Sequence, residues 1–404
     1  MHKSTFESVE TRTSWIVASV VLVIMAIAFG APWINTVALK DIAAEAGGER
    51  SVPAFANASM WIGSGCGGIL MGRVAERLGI RFTVMFGAAM VAIGLTLSTW
   101  GPSWPLYVGH GLFMGLVGIG GINAPFYVYV SRWFDRRRGS ALALISSGAY
   151  LAGAVWPPVF ARLIAWAGWR HTMLYYAGFE LLVILPAAAL VLRPPPVAPY
   201  QRATLAATES KSVLGWPPNL VFALQMAAIF TCCIPMAMPQ THLVAFCGDL
   251  GISATSGAAM VSVLLGAAFF SRQFWGVISD RIGGLYTMLI GSACQAVGMA
   301  SFLLTQDEAG LFTVSALFGF GFSGLVPANV LVSRQLFPAG EAYWRMPTLL
   351  LCSGFGMATG GWIAGILYDY FGFYAPAFAT GLAVNLVNFT VIAVLALRRR
   401  TALV

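Results

Sequence analysis

Charge is what this sequence has least of. Only 9% of its 404 residues are Asp, Glu, Lys or Arg, against about 25% in soluble domains, so the chain cannot coat itself for water. Its cysteines (Cys66, Cys232, Cys233, Cys247, Cys294, Cys352) form no CxxC and no Cys/His cluster. Zinc and disulfide frameworks need such spacing, so the thiols read as small packing residues. No Gly-x-x-x-x-Gly-Lys-Ser/Thr loop is present, which excludes ATP-driven transport by this chain alone. No nucleophile–base pair or metal cluster lies in the apolar runs, so neither an enzyme nor a cofactor is expected. A signal peptide is also excluded: Lys3 and Arg12 are balanced by Glu7 and Glu10, and the run that follows is too long for an h-region. The net charge of +8 does not point to nucleic acid, because the basic residues sit at the ends of apolar runs and not on one exposed face.

What is there is apolar sequence: 58% of residues are hydrophobic and the mean hydropathy is +0.79. A membrane-spanning helix needs about 20 apolar residues. Such runs occur at 15–38, 54–72, 82–100, 105–131, 140–165, 172–192, 217–245, 254–279, 285–304, 310–333, 345–367 and 374–397. The expectation is an all-α membrane protein of twelve transmembrane helices. Eighteen of the 23 Lys and Arg fall on the side of both termini. Lys40, Arg50, Arg162 and Arg170 fall on the other, and Arg272 lies within a run. By the positive-inside rule both termini are cytoplasmic, in a multi-pass protein of the cell inner membrane. Trp100, Trp104, Trp216 and Trp362 near run ends read as interfacial anchors.

The longest polar stretch, 193–216, opens with Arg193-Pro194-Pro195-Pro196, through which a helix cannot continue. It divides the chain into a six-helix bundle at 1–192, a linker at 193–216 and a second bundle at 217–404. The halves repeat: Gly72-Arg73-Val74-Ala75-Glu76-Arg77-Leu78-Gly79 is echoed 204 residues later by Gly276-Val277-Ile278-Ser279-Asp280-Arg281-Ile282-Gly283. Val130-Ser131-Arg132 is echoed by Val332-Ser333-Arg334. Two pseudo-symmetric halves are the pattern of a transporter built from repeats.

At these residues the chain resembles the major facilitator superfamily. Its loop motif between helices 2 and 3 is matched by Gly72, Glu76, Arg77, Gly79 and Arg81, with Glu for the usual Asp. The second copy keeps Gly276, Asp280, Arg281 and Gly283. A narrower likeness, to the monocarboxylate-transporter and oxalate/formate-antiporter branch, rests on three stretches: Arg132-Trp133-Phe134-Asp135-Arg136-Arg137-Arg138-Gly139, Gly168-Trp169-Arg170 and Gly365-Ile366-Leu367-Tyr368-Asp369. It implies that Arg272 is the substrate arginine of helix 8. It also implies a gating role for the paired motifs, with the acids latching the cytoplasmic seam against a helix N-terminus. The likeness fails at Ala268, where animal members carry an acid, and in the uncharged helix 1. Proton coupling is left open by that departure.

Arg272 has no acid at i±3 or i±4, where Ala268, Phe269, Trp275 and Gly276 stand. An intramembrane arginine faces a cavity or a partner, and its planar fork suits one carboxylate; snorkelling to the interface is the other reading. Helices 1, 4, 7 and 10 line the cavity in the superfamily, which makes Asn123, Tyr127, Gln225 and Asn329 candidate substrate contacts, or else interhelical glue. Gln240 and His242 are candidate access or gate residues. Glu180 and His110 are the ionisable groups left for proton coupling, with packing the alternative for each. Glycine-rich stretches at 115–121 and 354–365 read as faces for close helix approach. The function expected is secondary active transport of a small organic anion, a monocarboxylate, by alternating access as a monomer in the lipid bilayer, with no nucleic-acid partner. An exporter of amphipathic compounds and an anion exchanger are the alternatives.

Overall fold

The computed structural model describes residues 10–134, 137–195, 212–338 and 341–401. Lys3, Glu7, Asp135, Arg136, Arg202, Lys211 and the linker from 196 to 211 lie outside these. Ten segments are long and apolar enough to cross a membrane. One of them, Gly139–Val191, is two helices. Gly168 sits at φ 77, ψ 165, a region open essentially to glycine alone, and there the chain reverses. An eleventh helix, Ser51–Leu78, is less apolar because it carries Asn57 and several glycines and ends in Arg73, Glu76 and Arg77. Its Gly67 would carry a Cβ only 1.8 Å from the Leu116 carbonyl oxygen, so small residues let it press against the fourth helix.

Twelve spanning helices result among the described residues. They are α1 (Arg12–Val37), α2 (Ser51–Leu78), α3 (Ile80–Ser98), α4 (Trp104–Ser131), α5 (139–167) and α6 (169–191). After the linker come α7 (Pro218–Asp249), α8 (Ala254–Ile282), α9 (Gly284–Leu304), α10 (Glu308–Leu336), α11 (Ala342–Phe371) and α12 (Ala375–Thr401). The face where α1 begins and α12 ends is called the terminal face, and its opposite the far face. Across the midline α2 lies along α11 and α5 along α8, two seams that correspond under the sequence repeat. Glycines in α11 serve the same purpose as in α2: Cβ atoms at Gly356 and Gly360 would meet the Phe230 and Ile234 carbonyl oxygens of α7 at 2.4 and 2.1 Å.

The repeated motif is not the loop expected from its polarity. Residues 72–78 and 276–282 are the last turns of α2 and α8, and the connection to the next helix is a single glycine. Gly79 (φ 86, ψ 156) and Gly283 (φ 85, ψ 161) adopt one conformation. Each donates its N–H to the preceding helix, to Ala75 and Ser279 respectively. Each carbonyl then accepts the hydroxyl of a threonine in the next helix, Thr83 and Thr287, at 2.9 Å in both halves. The sequence repeat is thus a repeat of geometry, hydrogen bond for hydrogen bond.

Candidate functional site

The first spanning helix is not continuous. It breaks at Phe29–Gly30, and Pro32, lacking an N–H, follows. The carbonyls exposed by the break are claimed by other helices: Trp156 of α5 donates to Ala26 O at 2.8 Å and Tyr176 of α6 to Ile27 O at 2.7 Å. Beside this break, between the halves, lies a cavity of ≈ 200 Å³.

Two polar groupings meet the cavity. Toward the terminal face stand Arg272 (α8), Ser146 and Tyr150 (α5), and Asn123 and Tyr127 (α4). Arg272 Nη1 donates to the Ser146 carbonyl at 3.1 Å and its hydroxyl at 3.0 Å, and the guanidinium lies 4.7 Å from the Tyr150 ring centroid. Its Nε has no partner among the described residues. Among the described residues lining the cavity Arg272 is the only charged side chain. Toward the far face stand Thr36, Asn57, Gln240 and Thr241. Between them the wall is apolar, formed by Phe29, Met60, Trp61, Met236, Leu265 and Met357.

Above the cavity the far face is clasped shut around Arg50, a residue only 6% exposed. Its two terminal nitrogens each meet an Asp249 carboxylate oxygen at 2.6 Å, and Nη1 also donates to the Tyr374 hydroxyl at 2.9 Å. The guanidinium sits 3.6 Å from the Tyr368 ring centroid. Lys40 adds a second contact to Asp249, at 3.1 Å. Burial works against the charge on Arg50, but Asp249 and Tyr374 outweigh it and hold its pKa above the ordinary arginine value. The backbone joins in: the N–H groups of Arg50 and Ser51, which open α2, donate to the two oxygens of Asp369 at 2.7 and 2.9 Å. A carboxylate from α11 therefore caps α2 across the midline, with the helix dipole favouring it.

The candidates from sequence separate. Arg272, Asn123, Tyr127 and Gln240 come together at the cavity. Gln225 and Asn329 come together elsewhere: Gln225 donates to the Asn329 carbonyl at 2.6 Å, both fully buried and neither lining the cavity. His242 belongs to the clasp, its Nδ1 3.0 Å from the Tyr374 hydroxyl and its Nε2 2.8 Å from the Gly361 carbonyl oxygen. The Gly361 carbonyl can only accept, so Nε2 carries a proton and donates to it. His110 is buried in the N-terminal half against Ser98 Oγ and the Leu106 carbonyl, each at 3.1 Å. Glu180 is fully buried, and neither of its oxygens has a partner among the described residues.

On the terminal face Gly72, Glu76, Gly79 and Arg81, with Arg132, rim a groove of ≈ 480 Å³. Glu76, Arg77, Asp280, Arg281 and Gly276 are exposed. Among the described residues no ion pair or hydrogen bond crosses the midline on the terminal side of the Ser146–Arg272 contact.

The clasp was not read from sequence. In sequence Arg50 is one of four far-face cations, and nothing marks Asp249. Only Tyr368-Asp369 carried a signal, as part of a likeness, and nothing in it pointed to Arg50, over 300 positions away. Ser146, Tyr150 and Asn57 gave none, being common residues inside helices.

A model described as Major Facilitator Superfamily matches residues 20–343 and 229–403. Monocarboxylate transporter 13 of Bos taurus is 26% identical over 308 residues, 76% of this chain and 71% of that protein. MFS transporter asaE of Aspergillus flavus is 25% identical over 307 residues, 74% of this chain and 67% of that one. The Agnestins efflux protein AgnL12 of Paecilomyces divaricatus is 25% identical over 331 residues, 77% and 72% of the two chains. In fold the chain matches the crystal structure of a bacterial homolog to the human lysosomal transporter Spinster in an inward-facing and occupied conformation. The TM-score is 0.69, over 97% of both chains, at 15% identity. With its twelve helices, its repeated glycine turns and a family model spanning nearly all its length, the chain belongs to the Major Facilitator Superfamily of membrane transporters.

Proposed function

We propose that the protein carries a small organic anion, a monocarboxylate, by alternating access, with Arg272 holding the carboxylate. The observation that carries this reading is the cavity's charge: one guanidinium, no acid to neutralise it, and an unpartnered Nε on an edge free to take a second oxygen. Such a group is costly in a membrane unless a ligand or water satisfies it, and a carboxylate does so bidentately. Asn123 and the Tyr127 phenol line the same cavity and supply further donors. The positive-inside rule makes the terminal face cytoplasmic, and the clasped far face then describes an inward-facing state. In the opposite state Glu76 and Asp280 would latch the cytoplasmic seam against helix N-termini, as Asp369 now caps α2.

The test is reconstitution in liposomes with labelled monocarboxylates and dicarboxylates, with and without an inward proton gradient, wild type beside Arg272→Gln. Uptake of a monocarboxylate about 100-fold lower in the variant is expected from the loss of two charged hydrogen bonds. Stimulation by the gradient indicates proton coupling, and uptake only with anion preloaded inside indicates exchange. A second reading, export of amphipathic compounds, is favoured by the methionine and aromatic wall between the polar groupings and by the likeness to an efflux protein. Equal transport by Arg272→Gln and wild type would put that reading first.

A further inference from the structure

The cavity has a second polar pole that an anion the size of its carboxylate cannot reach. Helices α7 and α8 are antiparallel neighbours whose far-face ends, Asp249 and Ala254, are joined by the short segment 250–253. Gln240 lies nine residues below that end and Arg272 eighteen below it, so at 1.5 Å per residue the two differ in depth by about 13 Å. The Arg272 guanidinium reaches Ser146, near the terminal-face start of α5, so the separation is not shortened by the side chain.

At the outer pole the hydrogen bonding is incomplete. The Gln240 side chain is 9% exposed, its amide makes no hydrogen bond among the described residues, and its Nε2 is buried without a partner. Asn57 is 6% exposed; its Nδ2 donates to the Thr36 hydroxyl at 3.0 Å, but its Oδ1 accepts nothing. A buried amide left unsatisfied costs about 1–3 kcal/mol. The free donor on α7 and the free acceptor on α2 line the same cavity, and a group that both donates and accepts complements them. A hydroxyl is the smallest such group. The wall between the poles is largely apolar, with Met60, Met236, Leu265 and Met357 facing a substrate's middle.

We infer that the substrate is an elongated monoanion: a carboxylate on Arg272, an apolar chain along the wall, and a terminal hydroxyl between Gln240 and Asn57. A depth of about 13 Å corresponds to roughly ten or eleven bonds of an extended chain, so ω-hydroxy acids of medium length fit, and lactate-sized acids leave the outer pole unfilled. This rests on the reading of Arg272 as the anion anchor.

The test is binding of 10-hydroxydecanoate, decanoate and lactate to the purified full chain in lipid nanodiscs by calorimetry, for wild type, Gln240→Leu and Arg272→Gln. Expected is binding of 10-hydroxydecanoate about tenfold tighter than decanoate, the gain of a hydrogen bond in a buried site. Lactate should bind more weakly than either. Gln240→Leu should bring the ratio of the two ten-carbon acids to near one, while its retained decanoate binding reports an intact fold. Arg272→Gln should abolish binding of both. Equal affinity for the two ten-carbon acids in wild type, or a ratio unchanged in Gln240→Leu, overturns the second pole and leaves the anion reading standing. Lactate binding as tightly as 10-hydroxydecanoate does the same. Failure of all three acids to bind wild type overturns both.

Discussion

The two faces of the molecule are built from the same repeat and yet are held in opposite ways. At the far face α2 begins with its first amides capped by a carboxylate from the other half, Asp369, and with Arg50 locked between Asp249, Tyr368 and Tyr374. Its counterpart in the repeat, α8, is capped by its own Ser253, whose hydroxyl accepts the Ser256 N–H at 3.0 Å. At the terminal face both helices end in exposed acids and the same glycine turn, and neither acid reaches across among the described residues. A helix end can thus be satisfied locally, at no conformational consequence, or by the opposite half, in which case closing the seam and completing the helix are one event. The far face uses the second device, on one of the two related helices only.

That contrast can be broken first at Arg50. Arg50→Ala leaves Lys40 as the one cation on Asp249 among the described residues, and removing one partner of a mostly buried pair costs about 3–5 kcal/mol, less here because Asp249 keeps 27% of its side chain exposed. The expected result is a shift of at least tenfold toward a far-face-open population, read as longer spin-label distances across the α2–α11 seam. Distances matching wild type would mean that the clasp does not hold the state. Next in size, Glu76→Ala combined with Asp280→Ala should leave this state intact and deplete its opposite by severalfold. The double variant sharpens the comparison, because an unchanged distribution across the terminal-face seam rejects the latch. Tyr374→Phe removes the hydroxyl that accepts from Arg50 and meets His242 Nδ1 while keeping the ring, so a shift in the same direction as Arg50→Ala, but smaller, about 1 kcal/mol, is expected.

The smallest effect belongs to Glu45, paired with Arg170 at 2.6 Å within the N-terminal half. The hydrogen bond from Arg170 outweighs burial and lowers the Glu45 pKa. Its contribution is therefore complete above the usual carboxylate range and is lost as the pH falls through the depressed value. Because both side chains are about 40% exposed, Glu45→Gln should change thermal stability at neutral pH by little, in line with the ~0–1 kcal/mol of surface pairs. It should not move the seam distances at all, since the pair does not cross the midline; a seam shift would show that the far face is coupled through α6.

The helices were legible because the bilayer enforces length and apolarity on each, and even α2, the least apolar, was marked by its run from 54 to 72. The run ended six residues before the helix does: Arg73, Glu76 and Arg77 end the hydropathy without ending the backbone pattern, which stops only at Gly79. Arg272 was legible for a related reason, since a lone charge in an apolar run has few explanations. The amides were not. Asn329 and Gln225 looked no different in sequence from Asn123 and Gln240, yet the first pair satisfies its own helices and the second faces the cavity. Which way an amide turns depends on a few degrees of helix rotation that apolar periodicity does not fix.

By itself the sequence determined the solvent, the number of helices, their twofold repetition and the one intramembrane cation, because each is imposed by local free energy: the cost of charge or of an open backbone in hydrocarbon. Only the tertiary structure decided which polar groups share a cavity and which close a face. Arg50, Asp249 and Asp369 are separated by 199 and 319 positions, and their meeting is set by how the halves lean on each other, a balance among whole-helix contacts that no single residue carries.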